Sequence, residues 1–158
     1  MNQILILPAL LLAAAAQAHV TLDPALGAAG SYQKLAFRVG HGCDGKATTG
    51  LSVTLPEGVA AAKPMPKAGW KIDIVDSGAL HEIRWSGGAL PDAYFDEFVV
   101  QLKLPAETGK LYFRIVQQCG KTSLAWDEIA NDSGARLKAP APVLEVVPVP
   151  PGTPHYSH

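Results

Sequence analysis

The chain has 158 residues, with 13 Lys plus Arg against 14 Asp plus Glu and a formal net charge of −1. This mixed, near-neutral balance speaks against a nucleic-acid-binding domain or a binder of anionic membrane surfaces. The length suits a single domain with enough chain for a real core.

The first 18 residues hold no Asp, Glu, Lys or Arg, and Ile4 to Ala16 is an apolar run. Ala16-Gln17-Ala18 has the small-x-small form of a signal peptidase site. The run is too short to span a bilayer, so it reads as a secretory signal cleaved between Ala18 and His19. Its n-region lacks Lys and Arg, and the alternative is a buried apolar element. Cleavage leaves about 140 residues, beginning at His19. The expectation is a periplasmic or otherwise exported protein, with no membrane span in the mature chain. Its domain would cover residues 19–148, followed by a tail over 149–158.

Strand signals follow in order. Leu35, Phe37 and Val39 alternate with Ala36 and Arg38; Leu51, Val53 and Leu55 alternate up to Pro56. Ala60-Ala61-Ala62 suggests a turn of helix. Trp70, Ile72 and Ile74 alternate with outward Lys71 and Asp73. His81 to Trp85 predicts a strand that Ser86-Gly87-Gly88 ends. Phe98, Val100, Leu102 and Leu104 form the next, and Leu111, Phe113, Ile115 and Gln117 another, leading into Cys119. Trp126 to Ile129 suggests a second helical turn, and Val143 to Val147 a late strand. The proline-rich end, with His155, Tyr156 and His158, reads as an extended tail. Short strands at this spacing predict an all-β sandwich of the immunoglobulin or fibronectin kind.

Cys43 and Cys119 are the two cysteines. In an exported chain an even count favours a disulfide over a thiolate metal site. Pairing them brings the loop His41-Gly42-Cys43-Asp44-Gly45 close to the segment that ends at Trp126. His41, Asp44 and Trp126 then share one neighbourhood. A tryptophan there is more often packing than a metal neighbour.

No nucleophile elbow, phosphate loop or zinc-protease motif is present. The sharpest chemical candidate is His19. As a mature N-terminus it offers an amine and Nδ1 that close a small chelate ring on one metal ion. Such an amine has a pKa of roughly 7.7–8.0, so deprotonation near neutral pH is easy. Taken alone, His19 is better read as an accident of the cleavage position, since most residues exposed by such a cleavage do nothing. His81 reads as a structural or surface histidine, and His155 and His158 as solvated.

The order His19-Val20-Thr21-Leu22-Asp23-Pro24, Phe37-Arg38-Val39, His41-Gly42-Cys43, Leu55-Pro56-Glu57-Gly58, Pro66-Lys67-Ala68-Gly69-Trp70, Trp85-Ser86-Gly87-Gly88 and Gln118-Cys119 with Trp126 resembles the YcnI-like copper-binding domain family. The match runs along nearly the whole mature chain. The resemblance implies an immunoglobulin-like sandwich that binds Cu(II) outside the cytoplasm through a variant of the histidine brace. The N-terminal histidine carries over to His19 and the nearby tryptophan to Trp126. The family's glutamate ligand does not carry over: this chain reads Val39-Gly40-His41-Gly42-Cys43-Asp44 there. His41 or Asp44 would replace it, and imidazole suits copper better than carboxylate.

The leading expectation is a non-enzymatic copper(II) protein of copper homeostasis or trafficking, with a copper chaperone or transporter as partner. A copper-dependent polysaccharide monooxygenase is the enzymatic alternative. It needs an open metal position and a carbohydrate face, and the chain is poor in aromatics. A metal-free β-sandwich interaction module is the third reading, since fold does not fix function.

Overall fold

Side chains two apart in an extended chain share one face, so alternating apolar residues bury themselves by pairing into sheets. The computed structural model of the chain describes residues 19–78, 80–131 and 136–149. The expected signal segment with Ala18, and the tail histidines His155 and His158, lie outside the described residues. Among the described residues there are twelve strands and no helix.

The strands are β1 (Thr21–Asp23), β2 (Leu26–Ala28), β3 (Tyr32–Val39), β4 (Thr48–Thr54), β5 (Ala60–Pro64) and β6 (Lys71–Asp76). They continue with β7 (His81–Leu90), β8 (Asp96–Lys103), β9 (Gly109–Tyr112), β10 (Arg114–Cys119), β11 (Thr122–Trp126) and β12 (Val143–Val147). A four-stranded sheet has the order β1-β3-β8-β5, and a five-stranded sheet the order β11-β10-β4-β7-β6. A smaller sheet, β2-β12-β9, joins them with β12 parallel to β2. The result is the expected all-β sandwich of immunoglobulin-like character.

One core fills the space between the sheets. Leu35, Phe37 and Val39 of β3 and Phe98, Val100 and Leu102 of β8 cluster with Leu51 and Val53 of β4 and Ile83 and Trp85 of β7. Phe98 is the hub. Trp70 meets it edge-on at 4.9 Å and Trp85 at 5.5 Å. Phe113 meets Phe37 at 5.3 Å. Edge-to-face pairs of this kind add to the area they bury.

Several expectations need correction. Ala60-Ala61-Ala62 lies in β5, where cross-sheet pairing with β8 overrides the helix preference of alanine. Trp126 closes β11 in place of opening a helical turn. The run from Leu111 to Gln117 is two strands. Tyr112 pairs with Val143 of β12, whereas Arg114 pairs with Thr54 of β4. Phe113 between them is fully buried and marks where the chain changes sheets. Ile74 is exposed because β6 is an edge strand, paired only with β7.

β7 also runs on through Ser86-Gly87-Gly88 to Leu90. The reason is the Trp70 indole, which lies against the bare Cα of Gly88. A Cβ on Gly88 would stand 2.2 Å from Trp70 Cε2. The glycine is therefore a floor for an aromatic ring and does not break the strand. Among the described residues no helix is long and apolar enough to cross a membrane.

Gly88→Ala should force Trp70 off Phe98. Overpacking of this kind costs about 1–3 kcal/mol. A lowered urea midpoint with altered tryptophan fluorescence is the expected result; an unchanged midpoint would contradict this account of the strand.

Candidate metal centre

The candidate site forms where the edges of the two large sheets meet. β1 is the edge strand of the four-stranded sheet and β11 that of the five-stranded one. β1 pairs with β3 in the register Thr21↔Arg38, Leu22↔Phe37. Carried two positions toward the chain start, this register sets His19 abreast of Gly40, next to His41. Val20 is buried in the core and anchors the segment. His19 is half-buried, and its imidazole packs edge-on to the Trp126 indole, with ring centroids 5.8 Å apart and planes at 77°.

Trp126 is 6% exposed, so its indole N–H requires a partner. Nε1 donates to Gln117 Oε1 at 3.1 Å. Gln117, on β10, is itself only 1% exposed. Its Nε2 donates to the His41 carbonyl at 2.8 Å and to Thr48 Oγ1 at 2.7 Å. A hydrogen-bonded chain thus runs from Trp126 through Gln117 to the His41 backbone.

The His41 loop is built by glycines and a disulfide. Cys43 bonds Cys119, with Cα atoms 5.9 Å apart. Asp44 and Gly45 have φ of 49° and 76°, and Cys43 and Lys46 exchange both backbone hydrogen bonds, at 3.1 and 3.0 Å. These are the features of a type I′ Asp-Gly turn. Gly42 donates its N–H to Asp92 Oδ1 at 2.9 Å, and a Cβ there would fall 1.6 Å from the Lys46 carbonyl oxygen. His41 Nδ1 contacts the Gly42 carbonyl. The other ring nitrogen, Nε2, takes no part in that contact.

The chain after Trp126 is held as well. Glu128 Oε2 accepts from the backbone N–H groups of Lys138 and Ala139, at 2.6 and 3.0 Å. The Ala139 and Lys138 hydrogen bonds hold its carboxyl below the ordinary carboxylate range.

The sequence-predicted residues therefore separate. His19 and Trp126 touch, His41 joins them through Gln117, and the Cys43–Cys119 disulfide is formed. Asp44 sits exposed at the tip of the turn, where tolerance of a left-handed backbone accounts for it. Among the described residues no three His, Cys, Asp or Glu side chains gather as a metal site, so His41 and Asp44 do not both join His19. His81 pairs with Asp76 across the β6–β7 ladder at 3.1 Å, as a surface histidine. Gln117 and Thr48 were missed as site residues. The available signal was polarity at a core position, since Gln117 continues the inward series of Phe113 and Ile115.

Residues 19–146 match the family of the domain of unknown function DUF1775, which is the YcnI-like family domain. Among solved structures, the chain is similar to an uncharacterized protein from Nocardia farcinica whose crystal structure reveals an immunoglobulin-like fold. The TM-score is 0.70 at 29% identity, over 81% of this chain and 97% of that one. No curated protein matches the chain.

Two outcomes follow from the loop geometry. Gly42→Ala should collide with backbone that cannot rotate away. It should lower the denaturation midpoint, with a loss of stability of about 1–3 kcal/mol, and shift the His41 imidazole signal. A midpoint and signal unmoved by the substitution would refute the close approach. The lowered Glu128 carboxyl gives stabilisation that is full above the unfolded value of about 4.3 and is lost as pH falls through the folded value. An NMR titration should show the Lys138 and Ala139 amides moving with Glu128 below pH 4.3, and Glu128→Gln should abolish that movement.

Proposed function

The chain belongs to the DUF1775 family, and on that footing we propose that it is an exported, non-enzymatic Cu(II)-binding protein of copper homeostasis or trafficking. Cleavage after Ala18 frees the amine of His19. That amine and Nδ1 chelate the ion, and His41 supplies a third nitrogen through Nε2. Asp44 is the other candidate for the third position. Trp126 covers one side of the His19 ring.

The observation that carries this reading is the packing of His19 on Trp126, with Trp126 tied by Gln117 to the His41 backbone. The segments that carry the two imidazoles are thereby linked to each other through Trp126 and Gln117. The donor set fits the ion. Amine and imidazole nitrogens favour Cu(II) over the other divalent first-row metals, with zinc the nearest competitor. The contact of His41 Nδ1 with a carbonyl leaves the opposite ring nitrogen for the metal, the arrangement that ligating histidines commonly show. A copper chaperone or copper transporter is the fitting partner.

The test compares a mature form starting at His19 with one carrying a single extra residue ahead of it. Cu(II) titration with EPR should show the extended form binding at least about tenfold more weakly, ~1.4 kcal/mol, with a different spectrum. Equal affinity and identical spectra would sink the brace. In the mature form, His41→Ala should reproduce the loss of affinity and Asp44→Ala should not. The reverse pattern would assign the third position to Asp44.

A further inference from the structure

We infer that Gln117 is the positioning residue of the candidate metal centre, and that its amide sets the His41 loop and the Trp126 indole relative to each other. The inference rests on the copper reading for its purpose, but its geometry stands without metal.

Three observations carry it. The first is the direction of the amide. An indole N–H only donates and a backbone carbonyl only accepts. Gln117 meets the first with Oε1 and the second with Nε2, so its orientation is fixed by its partners. The buried Thr48 hydroxyl takes the remaining Nε2 proton. No other neutral side chain of this length presents an acceptor and a two-proton donor in one plane, apart from the shorter Asn.

The second is a coincidence of register. Gln117 bonds the carbonyl of His41 across a separation of 76 residues, and the disulfide joins Cys43 to Cys119 across the same separation. The His41 loop is thus fastened to β10 by two rungs two residues apart, one covalent and one polar. The polar rung adds the link to Trp126, and through Trp126 to the ring of His19.

The third is a contrast within the fold. Trp85 is also buried, and its Nε1 has no hydrogen-bond partner among the described residues. The sandwich therefore tolerates an unpaired indole N–H at one core position. At Trp126, beside the candidate site, a dedicated amide is provided. That difference points to orientation as the role of Gln117.

Two substitutions separate the parts. Gln117→Leu removes both ends of the link. Gln117→Glu keeps an acceptor for Trp126 Nε1 but loses the donor to the His41 carbonyl. In the metal-free mature protein, Gln117→Leu should speed hydrogen exchange of the Trp126 indole N–H at least tenfold and shift the His19 and His41 imidazole signals. Gln117→Glu should leave the indole exchange near wild type and move the His41 signals alone. Both should weaken Cu(II) about tenfold and alter the EPR hyperfine coupling, the usual scale for groups that orient metal ligands. Should Gln117→Leu fail to fold, Gln117→Glu and Trp126→Phe carry the same comparison.

Imidazole signals unmoved in both Gln117 variants, or copper affinity unchanged by them, would overturn the inference. A wild-type protein that binds no Cu(II) would instead defeat the functional reading. The indole and imidazole signals would then still decide whether Gln117 couples the two segments.

Discussion

The chain leaves β3, crosses between sheets several times and returns along β10, whose last residue, Cys119, meets Cys43. That disulfide closes a loop with a sequence separation of 76. Closing a loop of this size removes denatured-chain entropy worth about 4 kcal/mol. The candidate site depends on it more than the core does. The two sheets would be held together by their apolar faces, but the segment from His41 to Lys46 contributes only Cys43 to the buried apolar set. Without the covalent tie, the hold on His41 beside β10 would rest on hydrogen bonds such as that from Gln117.

The polar network works within that frame. A buried amide costs free energy unless its donors and acceptors are met, and Gln117 meets them with groups from three other segments. Satisfying one side chain therefore fixes the relation of β4, β11 and the His41 loop. His19 is added by a different force. Its neighbour Val20 is buried, and the ring lies edge-on to an indole whose orientation is already set. The seam between two edge strands is where the segment around His19 meets the end of β11.

Much of this was legible beforehand. Alternation located β3, β4, β8, β10 and β12, because a half-buried strand repeats every two residues. The disulfide was legible from an even cysteine count. His19 and Trp126 stood out by resemblance. The errors share one cause. Ala60-Ala61-Ala62 and Ser86-Gly87-Gly88 carry weak local signals, and each becomes strand because a neighbour supplies what the sequence lacks. For the glycines that neighbour is the Trp70 ring. For the alanines it is β8.

The sequence by itself determined the class of fold, the paired cysteines and the residue types able to bind a soft-to-borderline metal. These are local or compositional properties, written in periodicity and side-chain chemistry. Only the tertiary structure decided which of them meet. Asp44 and His41 are three residues apart, yet the type I′ turn puts Asp44 at an exposed tip, while the His41 carbonyl is tied to Gln117. His19 and Trp126 lie far apart in the chain and touch because the segment leading into β1 and the end of β11 meet where two edge strands come together. Proximity of that kind follows from how two twisted sheets stack and where a buried amide finds its partners, which no spacing along the chain encodes.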